Sequence, residues 1–236
     1  MTENIELKTE LLGGTNYKDF LIDLIIYISV MFLVREIYIP KVGFLANGLF
    51  WSFTTLAVAT WRMKVRRVTW KDLGFRRPKS LGKTLGISIL IIAAIMVSMI
   101  AFEIIKDHLP FSLAPDTSSE NASSKFGDLK GNWLLFLSII PMVLVESLLE
   151  EVLDRGFLMN WFERLFSMTS FATIIAVVLQ AIIFGFRHSY DFSERSITAG
   201  IIGLIMGIAY IKFGRNLWPL IIAHCLLNTI SMIGRV

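Results

Sequence analysis

Glu150 and Glu151 stand side by side in an apolar stretch, Arg155 follows one helical turn later, and His188 and His224 recur in later apolar stretches. An ionisable side chain at membrane depth costs roughly 3 kcal/mol by insertion scales, so such a set is expected to be used for chemistry or transport. Glu146, Glu150 and Asp154 repeat at intervals of four and share one helical face, just after Pro141, which is expected to bend the helix. Like charges one turn apart push at least one carboxyl towards its neutral form, while Arg155, four after Glu151, favours the carboxylate of that residue. Two acids held in different states are what acid-base chemistry near neutral pH requires. The competing reading is that Glu150 to Arg155 mark a helix emerging into water with its charges solvated.

The histidines weigh against that reading. His188 closes the run Phe184-Gly185-Phe186-Arg187-His188, and His224 precedes Asn228 by four on one helical face. An imidazole and a carboxamide at this spacing can donate to a single oxygen, as a developing oxyanion needs. Taken singly, a buried His or Asn bonded to a neighbouring helix is the commoner case.

The elements that must position these groups are membrane helices. The chain is 55% hydrophobic with mean hydropathy +0.65, and apolar runs cover roughly 20–39, 42–61, 85–105, 133–149 continuing towards 166, 171–186, 197–213 and 217–233. The expected fold is all-α, a polytopic transmembrane bundle of about seven helices with a catalytic cavity inside it. Residues 1–17 read as a cytoplasmic lead-in without signal-peptide character, 18–131 as N-terminal membrane helices, and 132–236 as the catalytic core. A single cysteine, Cys225, excludes an intramolecular disulfide.

Orientation follows from Arg62, Lys64, Arg66, Arg67, Lys71, Arg76, Arg77, Lys79 and Lys83, which crowd one link against Asp72 alone and mark it as cytoplasmic. The N-terminus is then inside and the polar link 107–132 outside. This basic link accounts for the net charge of +4 and pI near 9.2, and no nucleic-acid motif competes for it. On this threading His188 ends a helix that starts near the cytoplasm while the Glu pair lies towards the inner half, a mismatch that a tilted or deep-starting fifth helix would reconcile.

Glu-Glu-x-x-x-Arg at 150–155, Phe-x-x-x-His at 184–188 and His-x-x-x-Asn at 224–228, in that order, resemble the CPBP family of CAAX prenyl endopeptidases and bacteriocin-processing (Abi) enzymes. The resemblance covers roughly 133–234; Gly156 after Arg155 and Asp72-Leu73-Gly74-Phe75 also fit it. It implies an intramembrane endopeptidase in a bacterial cell membrane in which Glu150 activates water shared with His188, Glu151 and Arg155 support it, and His224 and Asn228 stabilise the oxyanion. No cofactor is needed on that reading. The family's older description as a metalloprotease would instead make Glu150, His188 and His224 zinc ligands, an acceptable set although no His-Glu-x-x-His is present. Asp154 and Arg187 depart from the family pattern.

Ser147 and Ser189 lack a nucleophile context, and Tyr190-Asp191 lacks the Gly-x-Gly-Asp half of an aspartyl pattern. Gly200, Gly203 and Gly207 read as internal packing, Cys225 as a small core residue, His108 as a solvated link residue and Asn121-Ala122-Ser123 as a sequon relevant only in a eukaryotic secretory pathway. Expected partners are lipids and a membrane-associated peptide or protein substrate, with oligomeric state unread. The rival classes are a proton- or metal-coupled carrier and a non-proteolytic scaffold or immunity factor of the same fold.

Overall fold

The computed structural model describes residues 17–109, 112–114 and 125–236. Most of the lead-in, part of the polar link and the Asn121 sequon lie outside the described residues. Among the described residues there is no β-strand, and seven apolar helices follow one another: α1 Tyr17–Leu33, α2 Gly43–Val65, α3 Leu81–Ile105, α4 Trp133–Leu165, α5 Ala172–Ser189, α6 Glu194–Lys212 and α7 Trp218–Ile233. They correspond to the seven apolar runs. α2 to α6 are long and apolar enough to cross a membrane; α7 is a shorter apolar helix. α1 has 17 residues and carries Asp19 and Asp23, so the expected count of seven holds only approximately as spans. α1 ends before the run does, because Arg35 and Glu36 open a polar stretch and Ile39 precedes Pro40, which disfavours helix at that residue.

Large apolar side chains cover the outside: Leu81, Ile89, Val97, Leu137, Ile182 and Ile230 are all exposed. A water-soluble protein does not present such a belt, and lipid is the medium that satisfies it. This is an integral membrane protein.

Helix ends follow local chemistry. Ser80, Asn132 and Ser193 cap α3, α4 and α6 by accepting from the backbone N–H three residues on. Pro219 sits in the first turn of α7, where its missing N–H is not needed. Pro141 is accommodated inside α4, which then changes pitch: Glu151–Leu158 forms a π-helical segment, all of it buried. The irregular turn frees carbonyls, and Asn160 Nδ2 donates to two of them, at Arg155 (3.0 Å) and Gly156 (2.8 Å).

The end of the bundle that carries the basic link is densely packed. Asp23 of α1, fully buried, accepts from Arg62 Nε (2.7 Å), Arg66 Nε (2.8 Å) and Trp161 Nε1 (3.0 Å), tying α1 and α2 to α4. Tyr27 packs on Phe157 and Phe157 stacks on Trp161. In the basic link Thr69 donates its hydroxyl and N–H to Asp72, holding that exposed carboxyl below its usual range. Tyr210 donates to Leu73 O (2.9 Å) and Leu217 N–H to Gly74 O (3.0 Å), so this stretch is woven against the α6–α7 loop. Gly74, at φ +92°, lies so close to that loop that a Cβ would sit 2.2 Å from Arg215 O.

α5 and α6 form the tightest pair. Gly200 lies against Ala181 O and Gly185 Cα, Gly203 against Ala181 and Phe184, and Gly207 against Val177. The glycine row is therefore an intramolecular seam that lets two backbones approach. At Gly185 a Cβ would fall 2.5 Å from Ser196 O and 3.0 Å from Gly200 Cα, both backbone atoms that cannot swing away. Gly185→Ala is expected to push α5 off α6 and destabilise the protein by about 1–3 kcal/mol, read as a lowered thermal midpoint in detergent, with Gly82→Ala, where a Cβ meets open space, unaffected.

Candidate active site

Glu151 is the hub. Its Oε1 accepts from Arg155 Nη1 at 2.9 Å and lies 2.8 Å from His224 Nδ1, with Glu151 and Arg155 side chains fully buried. Arg155 is always cationic, so its partner is held as a carboxylate, and a carboxylate only accepts. His224 Nδ1 therefore carries the proton, and the ring's other nitrogen, Nε2, is aimed at Glu150 Oε2 at 3.5 Å. Arg155 is itself fixed on three sides: it lies over the Phe184 ring at 4.4 Å, its Nη2 reaches Gly203 O at 3.5 Å, and Glu151 holds its Nη1.

His188, in the last turn of α5, has Nδ1 2.7 Å from Phe184 O, four residues back. A carbonyl can only accept, so this nitrogen is the donor and Nε2 is left with a free lone pair. Phe184 packs against the His188 ring at 4.5 Å between centroids and the His224 ring at 6.3 Å. Asn228 Nδ2 donates to Ser147 Oγ at 2.8 Å, and Ser147 in turn donates to Val143 O. One amide N–H of Asn228 remains uncommitted by these bonds.

Glu150, His188, His224 and Asn228 line a common cavity of about 540 Å³. Its walls come from α1, α2, α4, α5, α6 and α7, at the end of the bundle away from the basic link. Glu150 is thus partly accessible to the cavity while Glu151, next to it, is sealed in protein; the adjacent carboxylates stand in two environments. The solvated-emergence reading is excluded by this burial. Glu150 is in the middle of the 33-residue α4, and the cavity spans from that level to the α5 terminus that holds His188.

Glu146, also on the cavity wall one turn before Glu150, accepts from Ser52 of α2 at 2.5 Å, and its Oε2 is buried with no partner. Neither Ser52 nor Ser147 stood out as a site residue in the sequence. Ser147 reads as a packing serine because its contribution is to hold Asn228 from another helix, which spacing does not display. The departures Asp154 and Arg187 turn out to be partners: Arg187 Nη2 is 2.8 Å from Asp154 Oδ2, Nη1 contacts Met31 Sδ, and Asp154 is fully buried. Arg35 Nη1 donates to Arg187 O, so the residue before His188 is held at both its side chain and its carbonyl.

Among the described residues no three His, Cys, Asp or Glu side chains come together as a metal-ligand group. His224 already directs both ring nitrogens at carboxylates, so the zinc set Glu150, His188 and His224 does not fit this arrangement without movement.

Removing one member of a buried ion pair strands the other. Asp154→Ala is expected to destabilise by about 3–5 kcal/mol, with most of the loss recovered in Asp154→Leu/Arg187→Leu; thermal unfolding in detergent measures both.

No curated protein and no solved structure matches the chain. Residues 132–230 match the model of the family described as Type II CAAX prenyl endopeptidase Rce1-like, a stretch that contains Glu150, Glu151, Arg155, His188, His224 and Asn228. This segment, which includes the six residues of the Glu, Arg, His and Asn motifs, is thus similar to the CAAX prenyl endopeptidases and supports the resemblance to CPBP intramembrane proteases.

Proposed function

We propose that the protein hydrolyses a peptide bond of a membrane-associated polypeptide by a water molecule activated between Glu150 and His188, without a covalent intermediate. The family match supports an intramembrane endopeptidase of the CAAX type in general; the catalytic route is inferred from the side chains. The observation that carries it is the meeting of Glu150 with His224 at 3.5 Å in a cavity shared by His188 and Asn228.

Glu150 and His188 Nε2 both present acceptor lone pairs, so a water in the cavity can direct its hydrogens to them and its oxygen to a carbonyl carbon. Glu150 takes a proton as the water oxygen bonds to that carbon, and the carbonyl oxygen becomes an oxyanion. The free N–H of Asn228 and the His224 ring, protonated at Nε2, stabilise that charge in a site screened from bulk water. The proton on Glu150 passes to the amide nitrogen as the C–N bond breaks, and the proton left on the new carboxyl group moves to the released amine, giving a carboxylate and an ammonium. Glu151 and Arg155 act through His224 as positioning residues; they fix the ring and keep its Nδ1 protonated.

Glu150→Gln keeps the shape but cannot accept the proton, and cleavage is expected to fall by at least about 10²–10⁴ with an unchanged thermal midpoint. Peptides released from membranes carrying the native protein and Glu150→Gln provide the readout. Equal peptide profiles from the two, with the protein folded, would instead support a scaffold or immunity role. Asn228→Ala is expected to lower kcat by about 10²–10³ with little change in KM. Activity should survive chelation; loss on chelation followed by recovery on adding zinc would reassign Glu150, His188 and His224 as metal ligands.

A further inference from the structure

Two independent features of the fold fix from which side of the membrane a substrate arrives. The first is the direction of the cavity. Its lining includes Arg35 just past α1, Lys125 before α4, Arg195 in the first turn of α6 and Arg235 after α7, all partly exposed. These residues lie at the helix ends opposite the α2–α3 and α6–α7 links. In the other direction the bundle is solid: Tyr27, Phe157, Trp161 and Tyr210 are fully buried and close the space beneath Glu150 and Leu153. The cavity therefore has its mouth at one end and a packed floor at the other.

The second is charge. The α2–α3 link and the helix turns flanking it carry nine Lys and Arg from Arg62 to Lys83, with Asp72 as the acid among them. Lys212 and Arg215 at the α6–α7 link and Arg164 at the end of α4 add to the same end. The mouth end also has cations, but they are spread through several links. A short link dense in Lys and Arg is retained on the cytoplasmic side during insertion.

We propose that the cavity opens to the extracytoplasmic face, and that the substrate is a polypeptide segment already exported, or anchored with its cleavage site on the outer side. The peptide enters past Arg35, Arg195 and Arg235 and reaches Glu150 about halfway through α4, so the cut is made near the middle of the bundle. This substrate class rests on the protease reading above, whereas the sidedness does not.

Thiol accessibility tests it without requiring activity. In a Cys225→Ser background, which removes the native thiol, Ser231→Cys and, as a second mouth position, Arg235→Cys are compared with Lys79→Cys in the basic link. A charged, membrane-impermeant maleimide is added to spheroplasts before or after permeabilisation. Both mouth cysteines are expected to be labelled in sealed spheroplasts and Lys79→Cys only after permeabilisation. Labelling of the mouth cysteines only after permeabilisation, or of Lys79→Cys in sealed spheroplasts, overturns the assignment. If the labelling holds and cleavage fails in Glu150→Gln controls to show a difference, it is the protease reading that falls.

Discussion

Everything in the site depends on one carboxylate oxygen shared by two cationic or proton-bearing neighbours. Glu151 Oε1 binds Arg155 along α4 and His224 from α7, out of contact with solvent. Buried charge is costly unless paired, and here each partner relieves the other. The arrangement converts the cost of burying a Glu into rigidity: the imidazole cannot rotate, so its free edge stays turned towards Glu150. Arg155, over Phe184 and near Gly203, extends the same restraint to α5 and α6. Four helices are thereby set in register by one buried carboxylate.

The different surroundings of Glu150 and Glu151 follow from helix geometry. Adjacent residues on a helix point about 100° apart, so one can face a cavity while the next faces protein. The π-helical segment beginning at Glu151 spreads the backbone there, and the whole of 151–158 is buried around it. Asn160 closes the carbonyls that this leaves open and links to Tyr210, which reaches the basic link. A single polar chain thus runs from the site to the far end of the molecule.

The helices were legible in the sequence because apolar run length is a direct consequence of bilayer thickness, and the seven runs match the seven helices closely. The Glu151–Arg155 contact was legible for the same reason, since i to i+4 spacing is a local property. What spacing alone could not show was which side chains touch one another between helices. Ser147 beneath Asn228, Ser52 on Glu146 and the pairing of Asp154 with Arg187 join residues from 33 to 94 positions apart.

Asp154 and Arg187 have an evolutionary corollary. Each alone introduces an uncompensated charge into a region of protein that excludes water, so a lineage passing through either single substitution would traverse a poorly folding intermediate. The two positions should vary jointly among descendants, appearing or vanishing as a couple. A homologue holding one without the other would need a third residue, from α1 or α2, to have taken over the missing charge.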